Sequence, residues 1–562
     1  MKRGFAALVL GLVGAAGCRA RSEAPAVPAA PAPARTPTAI AAPQLGFLDE
    51  SRQGTPVDGG VLRRRLTGEP TTLNGVLQSS LPEAQVLQYV QRNLFDFDGN
   101  LRLVPGLAEG METSADGLAY TIALRADAAW EDGKPVTARD AVFTIRKIVD
   151  PKVPAQVFKP LFEELVSVEA LDERRFSLRF SKPYAFRPMA FVFPVLPAHR
   201  FEGQNFLKAK DNRAPLSDGP YRFVAWKAQE TIELERNPKY AGPPGHFDRI
   251  QFRIVPDNAT AYRMLLDDAL DEDELDAGLK QKAAADPAFA ACCRLVEFYN
   301  LDYNYIVLNN RSPLFGDARV RRAMTMLLDR AAIVRGLYRG SARIISGPWA
   351  PDSPAYDAQV EPLPFDPAAA ARLLDEAGWK APAPGAPREK DGRRFEFDLL
   401  VSAGSDVGRQ IDEMLSSELA RVGVTARVRT LEWAAFVEKV DAGAFEAASL
   451  AWSAVDPNPD PYFYWHSSQC APNGINDGCY ASPEADRLMT EARQELDPQR
   501  RLAKLRGLHR YFRDEAPAIF VVNAARKYAF RKRVRGLATS PLGLYGIWPG
   551  PLGWWASPEA AQ

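Results

Sequence analysis

Two aspartates stand directly before prolines in "LAWSAVDPNPDPYF" (450–463): Asp456 and Asp460, just past an apolar stretch that ends at Trp452. In a nearly dry cleft such a carboxylate holds an ammonium group by a charge-assisted hydrogen bond. Ahead of a proline it equally well shapes a turn. Bond-breaking chemistry finds no comparable foothold. The chain has no G-x-S-x-G and no H-E-x-x-H, the spacings that place a nucleophile or a metal-bound water. His466 precedes Ser467 and Ser468, but such close neighbours rarely form a nucleophile–base pair. The four histidines are scattered and no C-x-x-C occurs, so a structural zinc site is not expected. No catalytic residue, metal ligand or cofactor is expected. The acidic run "DDALDEDELD" (267–276) lacks the central glycine of a calcium loop and reads as a solvated, helix-rich surface.

Bulk composition narrows the setting. With 562 residues, 46 % hydrophobic and 10 % aromatic, the chain is globular and long enough for two or three domains. Lys+Arg and Asp+Glu are both 70, a balance that argues against nucleic-acid binding. The start, Met1-Lys2-Arg3 followed by "FAALVLGLVGAAG" (5–17), reads as an export signal too short to span a bilayer. It ends at Cys18 behind Ala15, Ala16 and Gly17, which resembles the lipobox of bacterial lipoproteins although Ala15 replaces the preferred leucine. Residues 19–45 are Ala/Pro-rich and read as an extended tether. An exported chain permits a disulfide between Cys470 and Cys479, nine residues apart. Cys292 and Cys293 are adjacent.

Behind the tether the texture changes twice. From about 60 to 300 short alternating strands dominate, such as "AYTIALR" (119–125) and "RFSLRF" (175–180). In "AWEDGKPVTARDAVFTI" (129–145), Asp132-Gly133 marks a turn, and Thr137 with Asp140 marks a helix start. From about 303 strands alternate with amphipathic helices, predicted over 317–340, 366–379, 406–422, 482–495 and 498–515. That alternation predicts an α/β fold with a partly parallel sheet. Two bodies of different texture imply a cleft between lobes, a favoured place for ligands.

Six collinear segments then carry a resemblance: "EPTTLN" (69–74), the block 104–145, "GPYRFVAWKAQETIELERNPKYAG" (219–242), the stretch from "YIVLNN" to 334, "FDPAAAARLLDEAGW" (365–379) and "DPYFYWHSSQ" (460–469). Over about 60–530 the chain resembles the extracytoplasmic solute-binding proteins of ABC transporters in the peptide/nickel group, family 5. The resemblance implies an α/β, two-lobed periplasmic-binding-protein-like fold with an extra domain on the first lobe. It implies a signal and lipobox in 1–18, a first lobe over 46–302 with its accessory domain at about 92–205, a second lobe over 303–520, and a return to the first lobe over 521–562. It further implies capture of peptides by hinge closure and delivery to a membrane permease, without catalysis. The protein is then expected to be a monomer, periplasmic or at the cell surface, and attached to the membrane through Cys18.

In peptide-binding relatives an aspartate shortly after a Trp-containing strand holds the ligand's ammonium, which points to Asp456 here. Counting from Trp452 without a gap places Val455 there, and a one-residue insertion places Asp456. The turn-forming role remains the alternative. Trp452, Trp433 and Tyr305, at strand ends or loops facing the expected cleft, are candidates to pack on ligand side chains or sugar rings, with core packing the commoner role for any one of them. Glu69 and Asn74 lie in the segment that approaches the cleft in relatives, with a cap or turn as the other reading. Trp130 is expected in the core of the accessory domain. An oligosaccharide or other small solute, a signalling receptor and, more distantly, a secreted hydrolase are the rival functions.

Overall fold

A computed structural model describes residues 47–51, 53–383, 386–453, 460–470 and 474–557. Cys18, the tether and Asp456 lie outside the described residues.

Local signals set the elements. The Asp132-Gly133 turn bends with Gly133 at φ +87°, a value that costs glycine little. Thr137 and Asp140 then cap the helix Ala138–Val149 reciprocally, the Thr137 N–H donating to Asp140 Oδ2 at 2.9 Å. This satisfies amides that the first helical turn leaves open. The helix turns Ala141, Val142, Ile145 and Ile148 inward, onto an antiparallel sheet ordered Ala108–Thr113, Ala119–Leu124, Arg175–Phe180, Leu165–Ala170. Trp130 is 0 % exposed in the core they share.

A second four-stranded sheet runs Val61–Leu66, Arg249–Ile254, Thr231–Arg236, Tyr221–Lys227, with only the first pair parallel. Beside it, Arg526–Arg531 pairs antiparallel with both Glu272–Glu274 and Cys293–Phe298. The predicted α/β half is a six-stranded mixed sheet in the order Ala342–Ile344, Ala518–Ala524, Tyr303–Leu308, Ala447–Trp452, Glu396–Ser402, Thr425–Leu431. Helices cover both faces, including Asp406–Arg421 and Trp433–Asp441. The result is an α/β, two-lobed fold.

Two expectations need correction. The predicted helix 317–340 is two helices, Ala318–Met326 and Arg330–Gly336. The first ends at Met326, and Asp329 caps the second by accepting the Ala332 N–H at 2.8 Å. The acidic run is not a solvated surface: Asp271, Glu272 and Asp273 are buried, the last two on the strand Glu272–Glu274. Arg533, Arg64 and Arg65 pair with them in turn, since a carboxylate that stays ionised when buried needs a cation. Arg64 is itself caged by the rings of Tyr89, Phe252, Tyr545 and Trp554.

Both cysteine pairs are bonded, Cys470 to Cys479 and Cys292 to Cys293. Among the described residues no helix is long and apolar enough to cross a membrane.

One buried histidine gives the second lobe an acid-sensitive point. His509, on the helix Pro498–Glu515, accepts the Asp357 N–H at Nδ1 (3.0 Å), so Nε2 carries the proton facing Ser346 Oγ at 3.0 Å. Burial pushes its pKa down to about 4 from 6.5. The folded value lies below the unfolded one, so stability is whole above pH 6.5 and is lost as pH falls toward 4. At about 1.4 kcal/mol per unit the loss is about 3 kcal/mol. Urea unfolding of the wild type and His509→Gln across that window checks this; equal acid dependence in both would refute it.

Candidate functional site

The six-stranded sheet fixes where a ligand site can form. Glu396–Ser402 runs parallel to both Thr425–Leu431 and Ala447–Trp452, so Ser402, Leu431 and Trp452 end at the same edge. Tyr303 lies opposite Trp452, where its antiparallel strand begins, and Ala518–Ala524 also ends there. The chain passes to the other lobe at this edge, between Phe298 and Tyr303 and again between Ala524 and Arg526. Open α/β sheets bind ligands beyond the carboxyl ends of their strands, and here that end carries both connections to the neighbouring sheet.

Strand alternation puts Tyr303 and Tyr305 on one face, with ring centroids 5.7 Å apart. Trp452 stacks on Tyr303 at 6.4 Å and meets Tyr464 edge-on at 4.1 Å. Tyr305 joins this group and also the small core under the helix Trp433–Asp441. Burial raises the pKa of its hydroxyl well above the usual tyrosine range. Trp433 opens that helix at the carboxyl end of Thr425–Leu431, stacked on Phe436 at 5.9 Å and 38 % exposed. The structure therefore brings Trp452 and Tyr305 together and sets Trp433 at the same end of the sheet.

The remaining candidates have partners within the protein. Glu69 accepts the Trp226 Nε1–H and the Gln229 N–H, each at 2.7 Å. Asn74 is 1 % exposed, donates to Asn212 Oδ1 at 2.8 Å and accepts the Val76 N–H at 3.0 Å. Asn74 thus forms a local turn, whereas Glu69 bonds to a hairpin distant in sequence. Asp460 is also a turn residue, its Oδ1 accepting the Tyr462 N–H at 3.0 Å, and its Oδ2 is ion-paired with Arg493 at 2.7 Å. Burial raises its pKa and Arg493 draws it back. His466 Nδ1 faces both the Ser468 N–H and Oγ (3.1 and 2.8 Å), while its Nε2 stands 3.9 Å from Asp486. That is a turn ending the short helix Tyr462–Trp465.

Sequence reasoning missed the polar crossing between the lobes. Asp302 accepts from Ser453 Oγ at 3.0 Å and from Asn300 Nδ2 at 2.6 Å. Arg526 lies 3.4 Å from Asp302 and forms a closer pair with Glu274 at 2.9 Å. Asn523 ties the two crossings together, donating to the carbonyls of Asn300 (2.8 Å) and Asp302 (2.7 Å) while Arg343 donates to its oxygen. The available signal was the polar "NLD" (300–302) between two apolar strands.

The family model for bacterial extracellular solute-binding proteins, family 5, matches residues 102–474. The oligopeptide-binding protein AppA of Bacillus subtilis is 27 % identical over 501 residues, covering 87 % of this chain and 90 % of its own. The structure of that protein in complex with a nonapeptide superposes with a TM-score of 0.76 at 26 % identity, over 90 % of this chain and all of the other. NikZ from Campylobacter jejuni in complex with Ni(L-His) gives 0.76 and 26 %, over 89 % of this chain and all of its own. A match over 102–474, at the head of which stands the capped helix and its sheet and near the end of which stand Trp452 and Asp460, places the chain: it belongs to the bacterial extracellular solute-binding proteins of family 5.

Proposed function

We propose that this protein is the capture component of an ABC importer, enclosing peptides between its lobes and presenting them to a membrane permease. The observation that carries the reading is the edge of the six-stranded sheet, where Tyr305, Trp452 and Ser453 stand beside both lobe crossings. The AppA structure holds a nonapeptide in the same fold. An extended peptide offers backbone groups for sequence-independent hydrogen bonds and an ammonium for a carboxylate. Asp456, four residues beyond Trp452, supplies that carboxylate in this reading. Trp452, Trp433 and Tyr305 pack on the side chains. In this reading the first lobe runs to about 302 and the chain returns to it after Ala524, beyond the boundary at 520 that the sequence suggests. Cys18 carries the lipid that anchors a monomeric, exported protein, and the bonded Cys470–Cys479 pair suits an oxidising compartment.

Calorimetric titration with peptides of two to nine residues, against oligosaccharides of similar size, tests the ligand class. Peptides should bind and raise the melting temperature with concentration; binding of the oligosaccharides alone would replace this reading. Asp456→Asn should weaken peptide binding by about 30-fold or more, as expected for loss of a charge partner in a desolvated site, with the melting temperature of the empty protein nearly unchanged. A large loss of empty-protein stability would return Asp456 to a turn-forming role.

A further inference from the structure

One segment of the first lobe is built into the second. After the strand Arg175–Phe180 the chain leaves its sheet and Tyr184, Ala185 and Phe186 enter the core formed by Trp465, Met489, Leu505 and Phe512. The base of this arm stays with its own sheet: Arg187 lies over the Phe180 ring at 3.6 Å and donates to the Leu161 carbonyl at 2.6 Å. The tip makes contacts with chemical definition. The Tyr184 hydroxyl donates to Asp460 Oδ2 at 2.9 Å, the oxygen already paired with Arg493. The Ala185 N–H donates to the Arg493 carbonyl at 2.8 Å. That carbonyl lies in the last turn of the helix Pro483–Gln494, where backbone acceptors have no partner inside the helix. The Arg493 guanidinium covers Tyr184 and Tyr462, and Arg501 lies over Phe186.

We propose that the arm 181–187 is an inter-lobe latch that holds the two lobes together through Tyr184, Asp460 and Arg493 and sets how often they part. Each contact joins residues about 280 to 310 positions apart in sequence, and each is of a kind that water can replace. Hydroxyl, carboxylate, guanidinium and helix-end carbonyl are all readily hydrated, so parting the lobes leaves few stranded polar groups. Tyr184, Ala185 and Phe186 lose apolar cover, as do the core residues they pack on. A latch of this make-up opens without unfolding either lobe. It biases affinity by changing the fraction of binding-competent protein, without touching the ligand. The inference rests on the two lobes moving as a hinge and is independent of which solute they enclose.

The test uses the ligand-free mature protein and Tyr184→Phe, which removes one hydroxyl and keeps the ring. The expected result is amide exchange at Ala185 about tenfold faster, the loss expected for one hydrogen bond to a charged group. Small-angle scattering should give a larger mean radius, with exchange in the strands Ala119–Leu124 and Ala518–Ala524 unchanged. Phe186→Ala should move both readouts further. Unchanged exchange and radius in folded Tyr184→Phe would overturn the proposal. So would a uniform loss of protection through the sheet that bears the arm, which would make the contact permanent packing. Because no solute is added, a failure of peptides to bind leaves these readouts intact.

Discussion

Trp130→Ala is expected to destabilise the antiparallel sheet and its helix by about 3–5 kcal/mol, as deletion of a fully buried tryptophan does. Its indole meets no solvent and belongs to a cluster with Ile122, Leu124, Ala141, Ile145 and Phe176. The flanking backbone is pinned, Trp130 N–H to the Lys134 carbonyl at 2.8 Å and Gly133 N–H to the Trp130 carbonyl at 2.8 Å, so collapse around the lost ring is restricted and a cavity remains. Several cores share this chain, so unfolding need not be two-state. The measurement is therefore urea unfolding read by proteolysis of segments 104–180 and 396–452 separately. The first should become susceptible at much lower urea and the second change little. A loss below about 1 kcal/mol, or equal losses in both segments, would contradict the packing assigned to Trp130.

The contrast between Trp130 and the inter-lobe contacts shows what the sequence could reveal. Trp130 was legible because its turn, cap and apolar spacing all lie within seventeen residues. The helices Pro367–Glu376 and Asp406–Arg421 were legible for the same reason, with Asp366 accepting the Ala369 N–H at 2.8 Å and Gly378 at φ +90° where the sequence punctuates them. Of the site, Tyr305 and Trp452 could be named from the sequence, but Tyr303 could not, because its place opposite Trp452 is set by strand pairing. The acidic run could not. Whether Glu272 is solvated depends on Arg64, 208 positions away. Asn523 lies on the strand Ala518–Ala524, yet its side chain acts on carbonyls 221 and 223 positions distant. Tyr184 and Asp460, 276 apart, gave no local sign of meeting. Pairing of adjacent Cys292 and Cys293 was likewise unmarked. What the sequence hid was contact between segments that only the folded topology brings together.

Asp412→Asn should make the protein more stable at neutral pH, by about 2–4 kcal/mol. The residue lies on the helix Asp406–Arg421, wholly buried against the strand Ala447–Trp452. Ser449 Oγ donates to Oδ1, and Oδ2 has no hydrogen-bond partner among the described residues. Burial pushes its pKa up from 3.8 to about 8, with Glu413 acting in the same direction and Ser449 opposing. The folded value exceeds the unfolded one, so the acid's contribution is fully present below pH 3.8 and is lost as pH rises toward 8. Each unit in that window costs about 1.4 kcal/mol, because the unfolded chain releases a proton that the folded one keeps. Asparagine has no proton to lose and so removes the cost, while its own unpaired amide returns part of it. The comparison belongs between pH 6.5 and 8, above the window in which His509 titrates. There the advantage of Asp412→Asn should widen with pH and flatten beyond about pH 8. A constant difference across that range, or a less stable variant, would mean that the carboxylate is ionised in the folded protein and that a partner compensates its burial.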